Sequence, residues 1–171
     1  TDIWSDGYQI IPPMQLLLEE HSFQNNKSCI DKDLGFLFGV FMARGRTCGD
    51  QILFAVAENV TEKIVEILKN GFNIDAKIGY DIEVNSKNLT NFFDSFCRKY
   101  DGIPDLILRS PKEVVLSYLQ GLFTNSGIIL GKDCQKWSLY SDNTKLLNDL
   151  QIVLANLGIY TEIKDHSGMF S

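Results

Sequence analysis

A shift of 82 residues lays Leu34–Gly45 on Leu116–Gly127, and no other feature of the chain restricts its fold as strongly. Leu34, Leu37, Gly39, Phe41 and Gly45 meet Leu116, Leu119, Gly121, Phe123 and Gly127, while Phe36 to Tyr118 and Val40 to Leu122 are conservative changes. The same order follows each copy: a hairpin, a helix ending in glycine, then a strand. A duplication of this kind predicts two pseudo-symmetric halves. Leu34 to Ala43 is apolar nearly all round, which suits a buried helix. Gly35, Gly39 and Ala43 stand at i, i+4 and i+8, one stripe of small residues along which a second backbone can approach. Gly39 and Gly121 are the natural meeting points of the repeated helices, and Gly45 reads as a left-handed cap.

The remaining pattern is read around that pair. Residues 1–33 form a lead-in, with Pro12-Pro13 opening a short helix and polar, turn-like residues after it. A strand is expected at 51–57. A helix follows from Val60 to Asn70, capped by Asn59 and stopped by Gly71. Residues 74–84 read as strand, turn and strand, and 87–99 as a helix with Leu89, Phe92, Phe93 and Phe96 on one side. Ser110 is expected to cap the second repeated helix, with Pro111 in its first turn. A half-buried strand around Trp137 and Leu139, a helix from Thr144 to Leu157 stopped by Gly158, and a strand from Ile159 to Lys164 complete the pattern. The expected organisation is a first repeat at 34–110 and a second at 111–171. The second is shorter at its C-terminus, so that the edge at Ile159–Lys164 needs cover.

Composition narrows the function. Apolar residues make up 44% of 171 and charged residues 22%, ordinary for a folded domain. The longest apolar run, Leu34 to Ala43, is too short to span a bilayer, and a cytoplasmic location is expected. The net charge of −6 argues against a tight grip on many phosphates. Cys29, Cys48, Cys97 and Cys134 include no CxxC pair, and His21 and His166 are the only histidines. That composition suits reduced thiols rather than a zinc site.

Leu37-Phe38-Gly39-Val40-Phe41-Met42-Ala43-Arg44-Gly45 resembles the first LAGLIDADG motif of homing endonucleases. Leu119-Gln120-Gly121-Leu122-Phe123-Thr124-Asn125-Ser126-Gly127 resembles the second. Gly102-Ile103-Pro104-Asp105, the run Ser110 to Val114 and the stretch Leu154 to Ile163 are similar to the family members carried inside inteins. The resemblance covers roughly residues 34–164. It implies an α+β fold of two αββαββα-like halves, packed through central LAGLIDADG helices, with antiparallel saddle-shaped sheets in the DNA major groove. It also implies cleavage of double-stranded DNA with Mg2+ held by an acid at the eighth motif position of each helix. Such acids answer a need of the chemistry, because hydrolysis of a phosphodiester uses hard cations and those cations take carboxylate oxygens.

At those two positions the chain has Arg44 and Ser126. Arginine offers only hydrogen-bond donors and repels a cation, and serine brings no charge. Neither a bound metal nor an intact catalytic residue is therefore expected. The helix interface is read as Gly39, Ala43, Gly121 and Asn125, with Asn125 standing where the motif has a small alanine and loosening the contact. The resemblance makes Arg46, Thr47 and Gln51 candidate DNA contacts in the first half. Lys132, Gln135, Lys136, Ser138 and Tyr140 are the candidates in the second, with Lys77 and Lys164 near phosphates. The residues read best as a degenerate, cleavage-inactive, intein-associated endonuclease domain. Its expected partners are the splicing domain of the same precursor and, weakly, duplex DNA. The alternatives are a DNA- or RNA-binding module of the same fold, or an active nuclease with Asp50, Asp133 or Asp142 as substitute ligands.

Overall fold

The computed structural model describes residues 30–97, 102–130 and 136–164. The first helix of the described residues, α1 (Lys32–Arg44), starts where the Asp31 carboxylate accepts the Leu34 N–H at 2.9 Å. It is followed by β1 (Gly45–Cys48), β2 (Gln51–Phe54), α2 (Glu58–Phe72), β3 (Lys77–Ile78), β4 (Ile82–Asn85) and α3 (Lys87–Phe96). A short α4 (Asp105–Leu108) leads to α5 (Lys112–Ser126), β5 (Gly127–Leu130), β6 (Lys136–Leu139) and α6 (Thr144–Asn156). The strands make one antiparallel sheet in the order β1-β2-β4-β3 and a second hairpin, β5-β6. The architecture is thus mixed helix and antiparallel sheet. Among the described residues no helix is long and apolar enough to cross a membrane.

The centre of the molecule is the crossing of α1 and α5. A Cβ on Gly39 would overlap the Tyr118 carbonyl oxygen and lie 2.7 Å from the Leu122 nitrogen. One on Gly121 would overlap the Phe36 carbonyl oxygen and lie 3.0 Å from the Val40 nitrogen. The two contacts exchange under the 82-residue shift: each glycine rests on the partner helix at the residue equivalent to the one its own helix offers. Gly35 extends the close approach, since a Cβ there would lie 2.8 Å from the Val114 carbonyl oxygen. Around this crossing Phe38, Phe92, Phe93, Ile52 and Phe54 are fully buried. Phe93 of α3 has ring centroids 5.0 Å from Phe38 and 4.8 Å from Phe41, and meets Phe54 edge-on at 6.1 Å. Such pairs are worth about 0.5–1.5 kcal/mol each beyond their area, and here they bind helix to helix and helix to sheet.

Several local expectations are corrected. Gly45 is extended (φ −83°, ψ 156°) and opens β1 instead of capping α1 in the left-handed region. It is glycine because a Cβ would run into the Phe41 ring. α2 begins at Glu58 after Ala57, which has no side-chain cap, and runs through Gly71. The reversal falls to Asn73 at φ 53°, a residue type that tolerates that conformation. The Ser110 hydroxyl donates to the Leu106 carbonyl at 2.7 Å, closing α4, and the Val114 and Val115 N–H groups of α5 bond to the Pro111 carbonyl. Residues 159–164 form no strand, and Ile159, Tyr160 and Ile163 are exposed. The residues of the expected Pro12-Pro13 helix lie outside those described.

The repeat is also less regular than a constant shift implies. Gly45 pairs with Phe54, but its equivalent Gly127 pairs with Leu139, because two residues join β1 to β2 and five join β5 to β6. From there the offset is 85, which brings Asn73 onto Gly158, both left-handed. Gly158 ends α6 in a Schellman motif, with Gly158 N–H on Ala155 at 2.9 Å and Ile159 N–H on Leu154 at 2.8 Å. Burial differs between the copies too: Leu34 is 5% exposed and its counterpart Leu116 46%.

Gly39→Ala should destabilise the fold by about 1–3 kcal/mol, because overpacking at a backbone contact outweighs the gain in helix propensity. Gly79→Ala is the control, since its Cβ would meet nothing nearer than the Asp81 carbonyl at 3.7 Å. Equal urea midpoints for the two variants would show that the helices are not in backbone contact.

Candidate nucleic-acid interface

Two surfaces bear on function: the ends of the paired helices and the sheet face below them. α1 ends at Arg44 and α5 at Ser126. The Arg44 carbonyl accepts the Ala55 N–H at 3.3 Å, and the Asn125 side-chain amide donates to the Ala55 carbonyl at 2.8 Å. One residue beyond β2 thus ties both helix ends. Asn125 is buried, and its amide uses the extra length over alanine to reach Ala55. Ala43, its counterpart under the shift, packs half-buried against the core.

The exposed Arg44 places a positive charge on the C-terminal end of α1, a favourable position worth about 0.3–1 kcal/mol. The same position suits a metal badly, because a guanidinium has no lone pair to give. Among the described residues no cluster of three or more His, Cys, Asp or Glu could hold an ion. Asp50 sits exposed in the β1–β2 turn, where its carbonyl accepts the Ser86 N–H at 3.1 Å. Asp142 precedes α6, which is capped by Asn143, whose side-chain oxygen accepts the Leu146 N–H at 3.0 Å. Asp133 lies outside the described residues. The residues at the helix ends do not fit a magnesium ion.

Strand register sorts the first sheet into faces. Arg46, Leu53, Glu83 and Lys77 share one cross-strand row, and Cys48, Gln51 and Asn85 share the next. These rows point away from the buried Ile52, Phe54, Ile82 and Val84, and form the outer face. Arg46 and Gln51 lie on it. Thr47 does not, since neighbouring strand residues point oppositely, and its hydroxyl donates to Asp94 of α3 at 2.8 Å. The outer face is closed upon itself. Arg46 Nη2 meets Asp81 Oδ2 at 2.5 Å, Lys77 Nζ meets Glu83 Oε2 at 3.1 Å, and the Gln51 amide donates to Asn85 at 2.5 Å. Asp81, Glu83 and Asn85 carry no motif in the sequence that marks them for this face. For Glu83 the available signal was its opposite charge to Lys77 across the 74–84 hairpin.

In the second half, Lys136 and Ser138 occupy alternate positions of β6, with Leu139 half-buried against the core and Tyr140 exposed just beyond. Lys132 and Gln135 lie outside the described residues. Lys164 meets Glu162 at 3.3 Å on the surface.

Two buried groups lie behind the helix pair. Desolvation raises the Tyr118 phenol well above its ordinary range, with Cys97 and Asp149 adding to the effect, and its hydroxyl has no hydrogen-bond partner among the described residues. Desolvation likewise raises the Cys97 thiol, helped by Asp94. The thiolate is the nucleophile, so at pH 8 iodoacetamide should modify exposed Cys48 at least about tenfold faster than Cys97. Peptide mapping over time reads the two rates, and equal labelling of the folded chain would contradict this packing.

Solved structures of the homing endonuclease I-DmoI share this architecture. One from a study of its mesophilic variants is 18% identical, covers 80% of this chain and 84% of that one, and superposes with a TM-score of 0.59. I-DmoI in complex with DNA and Ca is 18% identical over 79% of this chain and 78% of that one, with a TM-score of 0.57. The complex with DNA and Mn gives 0.55 over 79% and 84%, again at 18% identity. No model of a protein family matches the sequence. With two glycine-bearing helices crossing at the centre and antiparallel sheets beside them, the chain has the LAGLIDADG homing-endonuclease fold.

Proposed function

We propose that this chain is a degenerate LAGLIDADG endonuclease domain of the intein-associated kind, one that binds duplex DNA weakly and does not cut it. The observation that carries the reading is Arg44 at the end of α1, where hydrolysis would need a carboxylate. The reciprocal glycine contacts support two pseudo-symmetric halves, 34–110 and 111–171. That the neighbouring I-DmoI was solved with DNA supports duplex DNA as the ancestral substrate. The intein-like runs Gly102–Asp105 and Ser110–Val114 support a host intein, in which the domain's remaining task is to help the splicing domain of the same precursor.

A cleavage assay tests this. The unaltered chain, given a plasmid library of randomised sites with Mg2+ or Mn2+, should yield no double-strand breaks. Arg44→Asp combined with Ser126→Asp should restore detectable nicking or cutting, at a small stability cost from acid at a helix C-terminus (about 0.3–1 kcal/mol each). Robust double-strand cutting by the unaltered chain would refute the proposal.

A further inference from the structure

We infer that Asp81 and Glu83 act as built-in phosphate mimics: they occupy the two cations of the first sheet's outer face, so that a nucleic-acid backbone must displace them to bind. The inference rests on the DNA-binding reading above and deepens it. Register places Arg46, Glu83 and Lys77 in one row of the outer face, with Asp81 one residue before β4 beside them. Every charge in this group has its opposite within the group, Arg46 with Asp81 and Lys77 with Glu83. The face therefore carries cations without a net positive field, the reverse of what a phosphate-binding surface presents.

The two pairs hold with different strength. The Lys77–Glu83 pair is largely exposed, and such pairs give way easily to solvent or to another anion. Arg46 is bound more firmly. Asp81 is only 8% exposed while Arg46 is 59% exposed, and the second carboxylate oxygen of Asp81 is buried without a hydrogen-bond partner among the described residues. Moving the guanidinium to a phosphate would leave a buried carboxylate with no compensating charge, which is costly. Asp81 is thus the stronger of the two locks.

The test uses the full chain and a 30-base-pair duplex of random sequence, with affinity measured against salt concentration. Asp81→Asn with Glu83→Gln should tighten binding about tenfold at low salt and steepen the log–log salt dependence by about two units, as two more phosphate contacts would. Glu58→Gln with Glu62→Gln changes net charge equally on exposed positions of α2 and should have a much smaller effect. Adding Arg46→Gln and Lys77→Gln to the first variant should abolish its gain. If Asp81→Asn impairs folding, Glu83→Gln alone should steepen the slope by about one unit. A gain no larger than that of the α2 control, in a chain that does bind DNA, overturns the masking and leaves the proposed function standing. Absence of DNA binding by the unaltered chain and by every variant overturns both.

Discussion

The contact of two helix backbones at Gly39 and Gly121 is the constraint on which the rest of the molecule depends. A side chain of any size at either position would push α1 and α5 apart. Their separation sets where β1 and β5 begin, because each strand starts on the residue after its helix. It also sets how far Asn125 has to reach for Ala55. The aromatic cluster around Phe93 then fills the space between α1, α3 and the first sheet. Burial alone would not fix such a geometry, since apolar contact is non-directional. Backbone contact through glycine is directional, and it fixes both the crossing point and the register.

Function follows from what stands at the ends of that crossing. A nuclease of this fold needs negative charge where two helix dipoles also point their negative ends, and bound metal resolves the conflict. Arg44 resolves it differently, by supplying positive charge directly. The end of α1 thereby carries a charge that opposes its dipole without an ion. The outer sheet face is settled in a similar way, through Asp81 and Glu83.

Much of this was legible in the residues. The doubled Gly-bearing segment identified the helix pair, whose last residues are Arg44 and Ser126. The phenylalanines of 87–99 identified the buried side of α3, all but Phe96 deep in the core. Local chemistry was less legible, because several residue types serve more than one purpose. Gly45 is small to spare Phe41, although glycine after a helix more often serves a left-handed cap. Ser110 bonds backward to Leu106 where a forward cap was expected. Thr47 next to Arg46 looked like a second contact, but strand alternation turns it to the helix side. Asn125 looked too large for its place, and only the folded chain brings Ala55, 70 positions away, to its amide. Pairings such as Arg46 with Asp81, 35 positions apart, depend on strand order, which a single sequence leaves open.

The unequal hairpins have a further consequence. Three extra residues join β5 to β6, and three is an odd number. Carried forward at constant spacing, Lys136 would coincide with Phe54, a residue buried under the helices; counted through the longer loop it coincides with Gln51, which faces outward. Parity, and not distance along the chain, decides which residue of the first hairpin each residue of β6 matches. A symmetrised protein assembled from two copies of either half would have to adopt one loop length throughout, and with it one assignment of inside and outside.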